Sequence, residues 1–429
     1  MRDKNDSSRP AGGAISSGRL FAGVMSGTSL DGADAVLCRF FPAGAPKLFE
    51  AVGRGRAPFS RELRRELLAF ASGTAEGSRP AAEAGDVIDR LGAASVELAH
   101  VYALAVKRAA DDASVPLTAI EAVGIHGQTI RHRPERGFTL QLNNPAIAAE
   151  LLGIDVAADF RSRDVAAGGE GAPLVPPFHA LICSGSPEPA ALLNIGGIAN
   201  ATLLPGAAAA AAGEPVRGFD TGPGNMLLDG WMQAAFNEPF DRDGRAAAAG
   251  RVIEPLLALM ASDPYFAMTP PKSTGRERFS DEWLCRRFFE AAAKALPGAD
   301  ALTGRPAELP LAVKQNVAAT LTALTARTAA AAIAEAAPAT NRVYVCGGGA
   351  LNPTLMSALE EALRHAGLTL CAFGSTAEIG VGPMDVEAAA FAWLAMALVD
   401  GRPANLPSAT RAAGPRILGA LWPGRPHPL

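Results

Sequence analysis

Long uninterrupted apolar runs are missing from this 429-residue chain: nowhere do about 18 apolar residues follow one another, the length that suggests a membrane span. Excess positive charge is missing too. Lys and Arg number 39 against 43 Asp and Glu, a net charge of -4 with six histidines, so no basic field argues for nucleic acid as a partner. Cysteine is scarce. Cys38, Cys183, Cys285, Cys346 and Cys371 are odd in number, scattered and without a Cys-x-x-Cys pair. That pattern offers neither a disulfide framework nor a thiolate zinc site and fits a reducing compartment. Residues 1–18 are polar and hold no apolar stretch of the kind found in a secretory leader, so a disordered extension is expected. Two nucleotide-binding signatures are also absent: the lysine motif GxxxxGK[ST], and a GxGxxG turn with an acidic residue downstream. A nucleotide, if bound, is held in a third way. These absences predict a soluble, cytoplasmic protein.

The remaining composition is globular, with 49% hydrophobic and 19% charged residues. At roughly 150 residues per domain the length suggests two or three domains. An internal echo sharpens this to two α/β halves. The first opens with an apolar strand over 20–25, a polar glycine turn at 26–32 and a second strand over 35–40. The second opens alike, with 191–195, Gly196-Gly197 and 198–204. Each half then repeats a strand running into a turn before a helix, at 122–129 and at 343–353. Helical stretches are expected over Arg61–Ser72, 81–110, 311–335 and 385–398. The alanine run at 207–212 reads as a tolerant surface segment, and the Pro/Gly-rich tail from 400 as a surface wrap.

Several segments carry chemistry, each with a plainer alternative. Residues 26–32 combine glycines and hydroxyls in a turn that suits phosphate oxygens, and Asp31 and Asp34 add carboxylates for hydrated magnesium. A tight Asp-Gly hairpin turn is the alternative. Gly196 and Gly197 occupy the equivalent place in the second half. Gly347, Gly348 and Gly349, with Asn352 opening a helix, offer a flat backbone platform for a nucleoside. Asp220, placed by Gly222-Pro223-Gly224 in a rigid turn, is a candidate general base, because shielding from water disfavours its charged form. A helix N-cap is the other reading. Asp159, Arg161, Arg163 and Asp164 stand close enough to recognise an acidic sugar or to form a surface ion-pair cluster. His126 and Thr129 offer hydrogen bonds to hydroxyls, although His126 is equally well a satisfied core histidine. Glu387 starts the last long helix, where its charge also complements the helix dipole. The polar loop 271–277 is of a kind that closes over ligands.

The order of these segments carries more than any one of them. MSGTSLDGAD at 25–34, GIHGQT at 124–129, DFRSRDVAAGGEGAPLVP at 159–176, LLNIGGIAN at 192–200, GFDTGPGN at 218–225, PKSTGRERF at 271–279, CGGGALNP at 346–353 and EAAAFAWLA at 387–395 together resemble the anhydro-N-acetylmuramic acid kinase family. The resemblance spans about 20–425. It implies two ribonuclease H-like (actin-like ATPase) domains with an interdomain active-site cleft, over 19–190 and 191–429, with the C-terminal segment packing back on the first. It implies ATP as co-substrate, with phosphates held by Gly27, Thr28, Ser29, Leu30, Asp31, Gly32, Ala33 and Asp34 and by Gly196 and Gly197. The nucleoside would lie near Gly347, Gly348, Gly349 and Asn352, and Asp31 is the candidate magnesium ligand. It further implies 1,6-anhydro-N-acetylmuramic acid as substrate in cell-wall recycling, opened by water and phosphorylated on O6. Asp220 would deprotonate the water and Glu387 orient it, while His126, Thr129, Asp159 and Arg161 hold the sugar. A homodimer is a family-level expectation; neither nucleic acid nor membrane is an expected partner. Glu170 departs from the family's usual glutamine. A kinase of an ordinary sugar hydroxyl and an actin- or Hsp70-like ATPase are the competing readings.

Overall fold

A computed structural model describes residues 18–27, 30–45, 47–72, 86–184, 186–275, 278–280, 282–287 and 306–424. The first half supplies β1 (Arg19–Met25), β2 (Gly32–Phe40), β3 (Phe49–Pro58), β4 (Ala122–Ile125), β5 (Gln128–Arg133), β6 (Phe138–Leu142) and β7 (Asp155–Ala158). The second supplies β8 (Ala190–Ile195), β9 (Ile198–Leu204), β10 (Arg217–Pro223), β11 (Arg342–Cys346), β12 (Ala372–Ser375) and β13 (Ala420–Trp422).

Two sheets result, in the orders β13-β7-β4-β1-β2-β3 and β10-β9-β8-β11-β12. Setting β13 aside, they are the same sheet built twice. In each, three opening strands form an antiparallel meander, and the first of them pairs in parallel with a later strand that pairs in parallel with the next. The internal echo in the sequence therefore corresponds to a duplicated α/β fold. The small hairpin β5–β6 stands apart from both sheets.

The strands are apolar because helices cover them. Helix Val87–Asp112 lies on one face of the first sheet, together with Arg61–Ser72 and Pro145–Leu152. Asp86 begins the long helix by accepting from the amides of Ile88 and Asp89. The expected residues 81–85 of this helix lie outside the described residues. On the second sheet, Leu311–Ala336 and Pro353–His365 cover the face to which Ala191, Leu193, Ile195 and Phe219 point. Leu311–Ala336 is long and apolar enough to cross a membrane, but 78% of its most apolar window is buried in this core. The alanine run forms a short, largely exposed helix, Ala207–Ala211.

The other face of the first sheet is covered from far along the chain. Helix Val386–Val399 packs on β1, β4 and β2. It comes very close: a Cβ at Gly23 would overlap the Ala388 carbonyl, and one at Gly124 would overlap the Phe391 carbonyl. Glycine on the sheet and alanines on the helix permit that approach. The tail is also more than a surface wrap. Strand β13 pairs antiparallel with β7, and the buried Asp164 carboxylate accepts from Asn405 Nδ2 (2.7 Å), Thr410 Oγ1 (2.8 Å) and the Gly171 amide (2.8 Å). A carboxylate removed from water requires such donors, and the tail provides two of them.

Substituting Gly124 by Ala should therefore overpack this contact and cost roughly 1–3 kcal/mol or more. The denaturant midpoint measures it; an unchanged midpoint would mean that the helix does not press on the glycine.

Candidate active site

Three polar residues of the second sheet fall on one face in one row. Asp220 on β10 is the register partner of Asn200 on β9, which is the partner of Asn194 on β8. Alternation in a strand sends neighbours to opposite faces, so Leu193, Ala199, Ala201 and Phe219 enter the helix-covered core while this row faces the other half. Asp220 thus sits within a strand, not in a turn. Pairing with β9 continues to Pro223, and the irregularity is a register shift between Asp220 and Gly222. The N-cap reading also fails, because Asn225 precedes helix Met226–Phe236.

A separate loop fixes the Asp220 carboxylate. Its Oδ2 accepts from Ser273 Oγ and from the Thr274 amide, both at 3.0 Å. Its backbone is held as well: the amide donates to Lys272 O (3.0 Å) and the carbonyl accepts from Tyr265 Oη (2.7 Å). The loop is anchored by Asp263, which accepts from the Tyr265 amide, Arg278 and Trp283 Nε1. Oδ1 of Asp220 has no donor among the described residues. Burial pushes the pKa of Asp220 up to about 6, against the opposing pull of Thr274 and Ser273, and the Glu170 charge pushes the same way.

Lining the same cavity as Asp220 are groups from the first half and from the helix packed on its sheet. Glu387 projects from the first turn of Val386–Val399. Burial raises its pKa, and Arg161 and Asn194 oppose that shift. Arg161 is held in place: Nε and Nη2 reach His126 Nε2 at 3.0 and 2.9 Å, and Nη1 donates to Gly171 O at 2.7 Å. His126 Nε2 is therefore the acceptor, and burial with the Arg161 charge keeps the ring neutral, well below its ordinary pKa. The suspected surface ion-pair cluster dissolves, since Arg161 serves the site and Asp164 the tail. Together Asp220, Asn194, Asn200, Arg161, Glu170 and Glu387 line a cavity of about 170 Å³ between the halves.

Other candidates lie elsewhere or are already engaged. Asp159 is exposed, at φ 58°, and accepts from Ser162 Oγ; Thr129 accepts from Gln141 Nε2 at 3.4 Å. Neither lines the cavity. In the first glycine turn the Leu30 amide donates to Gly27 O, Asp31 is paired with Arg56, and Asp34 is 3.7 Å from the same guanidinium. Gly32 and Ala33 already belong to β2, while Thr28, Ser29, Arg276 and Glu277 lie outside the described residues. The carbonyls of Gly196 and Gly197 accept from the amides of Gly224, Asn225 and Met226, which docks that turn on the strand bearing Asp220. Gly347 donates to Pro383 O, Gly349 packs on Ile195, and Asn352 caps helix Pro353–His365 through the Leu355 amide.

The sequence reading missed the Asn194 and Asn200 side chains, Tyr265 and the buried His179. Polar residues at alternate positions of otherwise apolar strands were the available signal for the asparagines.

A duplicated α/β sheet, with a cavity lined from both halves and a shielded carboxylate in its wall, is the arrangement of a two-lobed α/β protein with its site between the lobes. A family model for anhydro-N-acetylmuramic acid kinase matches residues 19–424. An anhydro-N-acetylmuramic acid kinase of Bordetella petrii is 49% identical over 95% of this chain and 97% of its own. One of Burkholderia cenocepacia is 45% identical over 94% and 96%. The chain belongs to the anhydro-N-acetylmuramic acid kinase family. Among solved structures, a ROK family glucokinase from Streptomyces griseus in complex with glucose and AMPPNP aligns with 88% of this chain and 99% of its own, at 15% identity and a TM-score of 0.34. At that score the likeness adds nothing to the topology.

Titration of the Asp220 carboxyl carbon by NMR should give a midpoint near 6, against an ordinary value of 3.8. The native state then holds this proton more tightly than the unfolded chain, so ionisation costs stability as pH rises from about 4 to about 6. Ser273→Ala should raise the midpoint further, since it removes a donor to the charged form. A midpoint near 4 in both proteins would show that the carboxylate is not shielded.

Proposed function

We propose that this chain opens 1,6-anhydro-N-acetylmuramic acid with water and phosphorylates O6, giving N-acetylmuramic acid 6-phosphate in cytoplasmic cell-wall recycling. The observation that carries the mechanism is Asp220, half-buried, held through Oδ2, and lining the same cavity as Glu387.

Water attacks the anomeric carbon as the C1–O6 bond breaks, and Asp220 Oδ1 takes the water's proton. Glu387, on a helix clamped to the opposite sheet, orients that water. Asn194 and Asn200 offer amide donors and acceptors to ring substituents. Arg161, preset by His126, is the contact for the lactyl carboxylate, as a guanidinium suits a carboxylate in a desolvated site. Thr129 and Asp159, outside the cavity lining, are left out of this arrangement. The water activation parallels an inverting glycoside hydrolase, with phosphoryl transfer replacing protonation of the leaving oxygen.

The chain also fits a nucleotide. A Cβ at Gly196 would meet nothing nearer than Ile198 O at 3.6 Å, and one at Gly348 nothing nearer than Asn225 Nδ2 at 3.7 Å. The backbone is thus open at both turns where the sequence suggested phosphate and nucleoside. Mg-ATP, when bound, would supply the phosphoryl group that O6 accepts and the charge neutralisation around it. Asp31 and Asp34 would hold the hydrated magnesium, which needs one or two carboxylates beside phosphate oxygens. Arg56, now paired with both, would turn to the phosphates.

With Mg-ATP and the anhydro-sugar, the product should gain one phosphoryl group and one water. Asp220→Asn should lower kcat by roughly 10²–10⁴-fold. The acid limb of kcat/KM should rise with pH through about 6, because the base must be ionised. Mass spectrometry and steady-state kinetics check each point. A gain of phosphoryl alone would mean an ordinary hydroxyl kinase, with Asp220 deprotonating the sugar itself.

A further inference from the structure

The stretch of tail around helix Pro407–Thr410 is bound to both halves. Asn405 Nδ2 and Thr410 Oγ1 donate to the Asp164 carboxylate of the first half, and Thr410 O accepts from the Glu170 amide at 2.7 Å. On the other side Ser408 Oγ donates at 2.7 Å to Val216 O, the residue before β10, the strand that carries Asp220.

Arg411 completes this bridge with a single side chain. Its Nη1 is 2.8 Å from Glu170 Oε1, and its Nη2 donates to Pro271 O at 2.6 Å. Glu170 lines the cavity from the first half. Pro271 precedes Lys272, whose carbonyl accepts from the Asp220 amide, and Ser273 and Thr274, which hold Asp220 Oδ2, come next. Arg411 itself does not line the cavity. Its backbone lies at φ 64°, a left-handed conformation that a side chain disfavours and glycine adopts freely. An arginine kept in that conformation, with its guanidinium on both walls, indicates a task for the guanidinium.

Resting on the reading of Asp220 as the base, the geometry points to Arg411 as a positioning residue: its forked guanidinium ties the loop that holds Asp220 to Glu170 of the other half. A planar fork spans two such acceptors, which a compact ammonium does not. Loss of the fork acts on Asp220 twice in one direction. It leaves the Glu170 charge unmatched, and it frees the segment whose Ser273 and Thr274 donors favour the charged carboxylate. The other charged groups lining the cavity are held elsewhere: Arg161 by His126 and Gly171 O, Lys272 by the carbonyls of Tyr265 and Phe266, and Glu387 on the helix packed on the first sheet. Burial keeps His179 and Tyr265 neutral. The field at Asp220 therefore changes through Glu170.

The test titrates the Asp220 carboxyl carbon by NMR and follows hydrogen exchange of the Thr274 amide, neither of which needs the sugar. Three proteins are compared: the unchanged chain, Arg411→Gly and Arg411→Lys. Glycine suits the left-handed backbone, so the fork is removed without new strain. Arg411→Gly should raise the Asp220 midpoint by roughly 0.2–0.7 pH unit, the size of an exposed charge pair, and should speed Thr274 exchange. Arg411→Lys, which keeps the charge without the fork, should fall between. With Mg-ATP and the anhydro-sugar, Arg411→Gly should lower kcat by roughly 10–100-fold with KM little changed, as a displaced base would. An unchanged midpoint in folded Arg411→Gly overturns the assignment, whatever happens to the melting temperature. If that variant does not fold, the midpoint of Arg411→Lys decides in its place. No turnover of the sugar by the unchanged chain would fault the function proposed above, while the titration and the exchange would still judge Arg411.

Discussion

The site depends on the close seating of helix Val386–Val399 on the glycines of β1 and β4. The helix follows the second sheet in the chain but packs on the first. The residues it sets against Gly23 and Gly124 are Ala388, Phe391, Ala392 and Ala395, and the strands offer no side chain at those two glycines. That combination lets backbone approach backbone, so the first helical turn is positioned by hard contacts and not by flexible side chains. Glu387 is in that turn, and its position relative to the second sheet is set by packing on the first. Cys346, at the end of β11 and the register partner of Asn194, buries itself in the same cluster and joins the two bodies there.

Opposing forces then set the state of Asp220. Removal from water raises its pKa, and two donors on Oδ2 restrain the rise without cancelling it. Both donors come from the 263–275 loop, which also fixes the Asp220 backbone on either side. The loop in turn hangs on the Asp263 carboxylate. Asp263 differs from Asp220 in having donors on both oxygens, from Arg278, Trp283 and the Tyr265 amide; these hold its pKa below the ordinary value despite burial. One carboxylate is satisfied and serves as an anchor. The other is half-satisfied and is suited to take a proton.

A third carboxylate, Asp164, is of the first kind, and the tail supplies two of its donors. Asp164 joins the segment bearing Arg161 to Asn405 and Thr410. Arg411, the next residue, pairs with Glu170 and donates to Pro271 O in the Asp220 loop. The last part of the chain thereby touches the wall of the cavity that each half supplies. Glu170 has its charge met by this arginine while still raising the pKa of Asp220.

Much of this was legible from local pattern. Apolar runs ending in glycine turns marked β1, β8 and β11, and their repetition implied the duplicated sheets, because strand period and turn chemistry are local properties. Asp220 and Glu387 stood out through the motifs around them, not through their spacing, since helix-cap chemistry and a helix-dipole charge explained them as well. What local pattern misjudged shows where it stops. Asp220 read as a turn residue because the Gly-Pro-Gly run follows it, yet pairing with β9 holds it in a strand. Arg161 and Asp164 read as one surface cluster, yet one faces His126 and the other the tail. Asn194, Asn200 and His179 drew no notice as side chains, since their alignment is a matter of register between strands and of a helix laid across them. The sequence alone determined the elements, the duplication and the family. Tertiary structure decided which polar groups share a cavity and which are spent on anchoring, because only packing of distant segments sets burial, and burial sets the charge each group can bear.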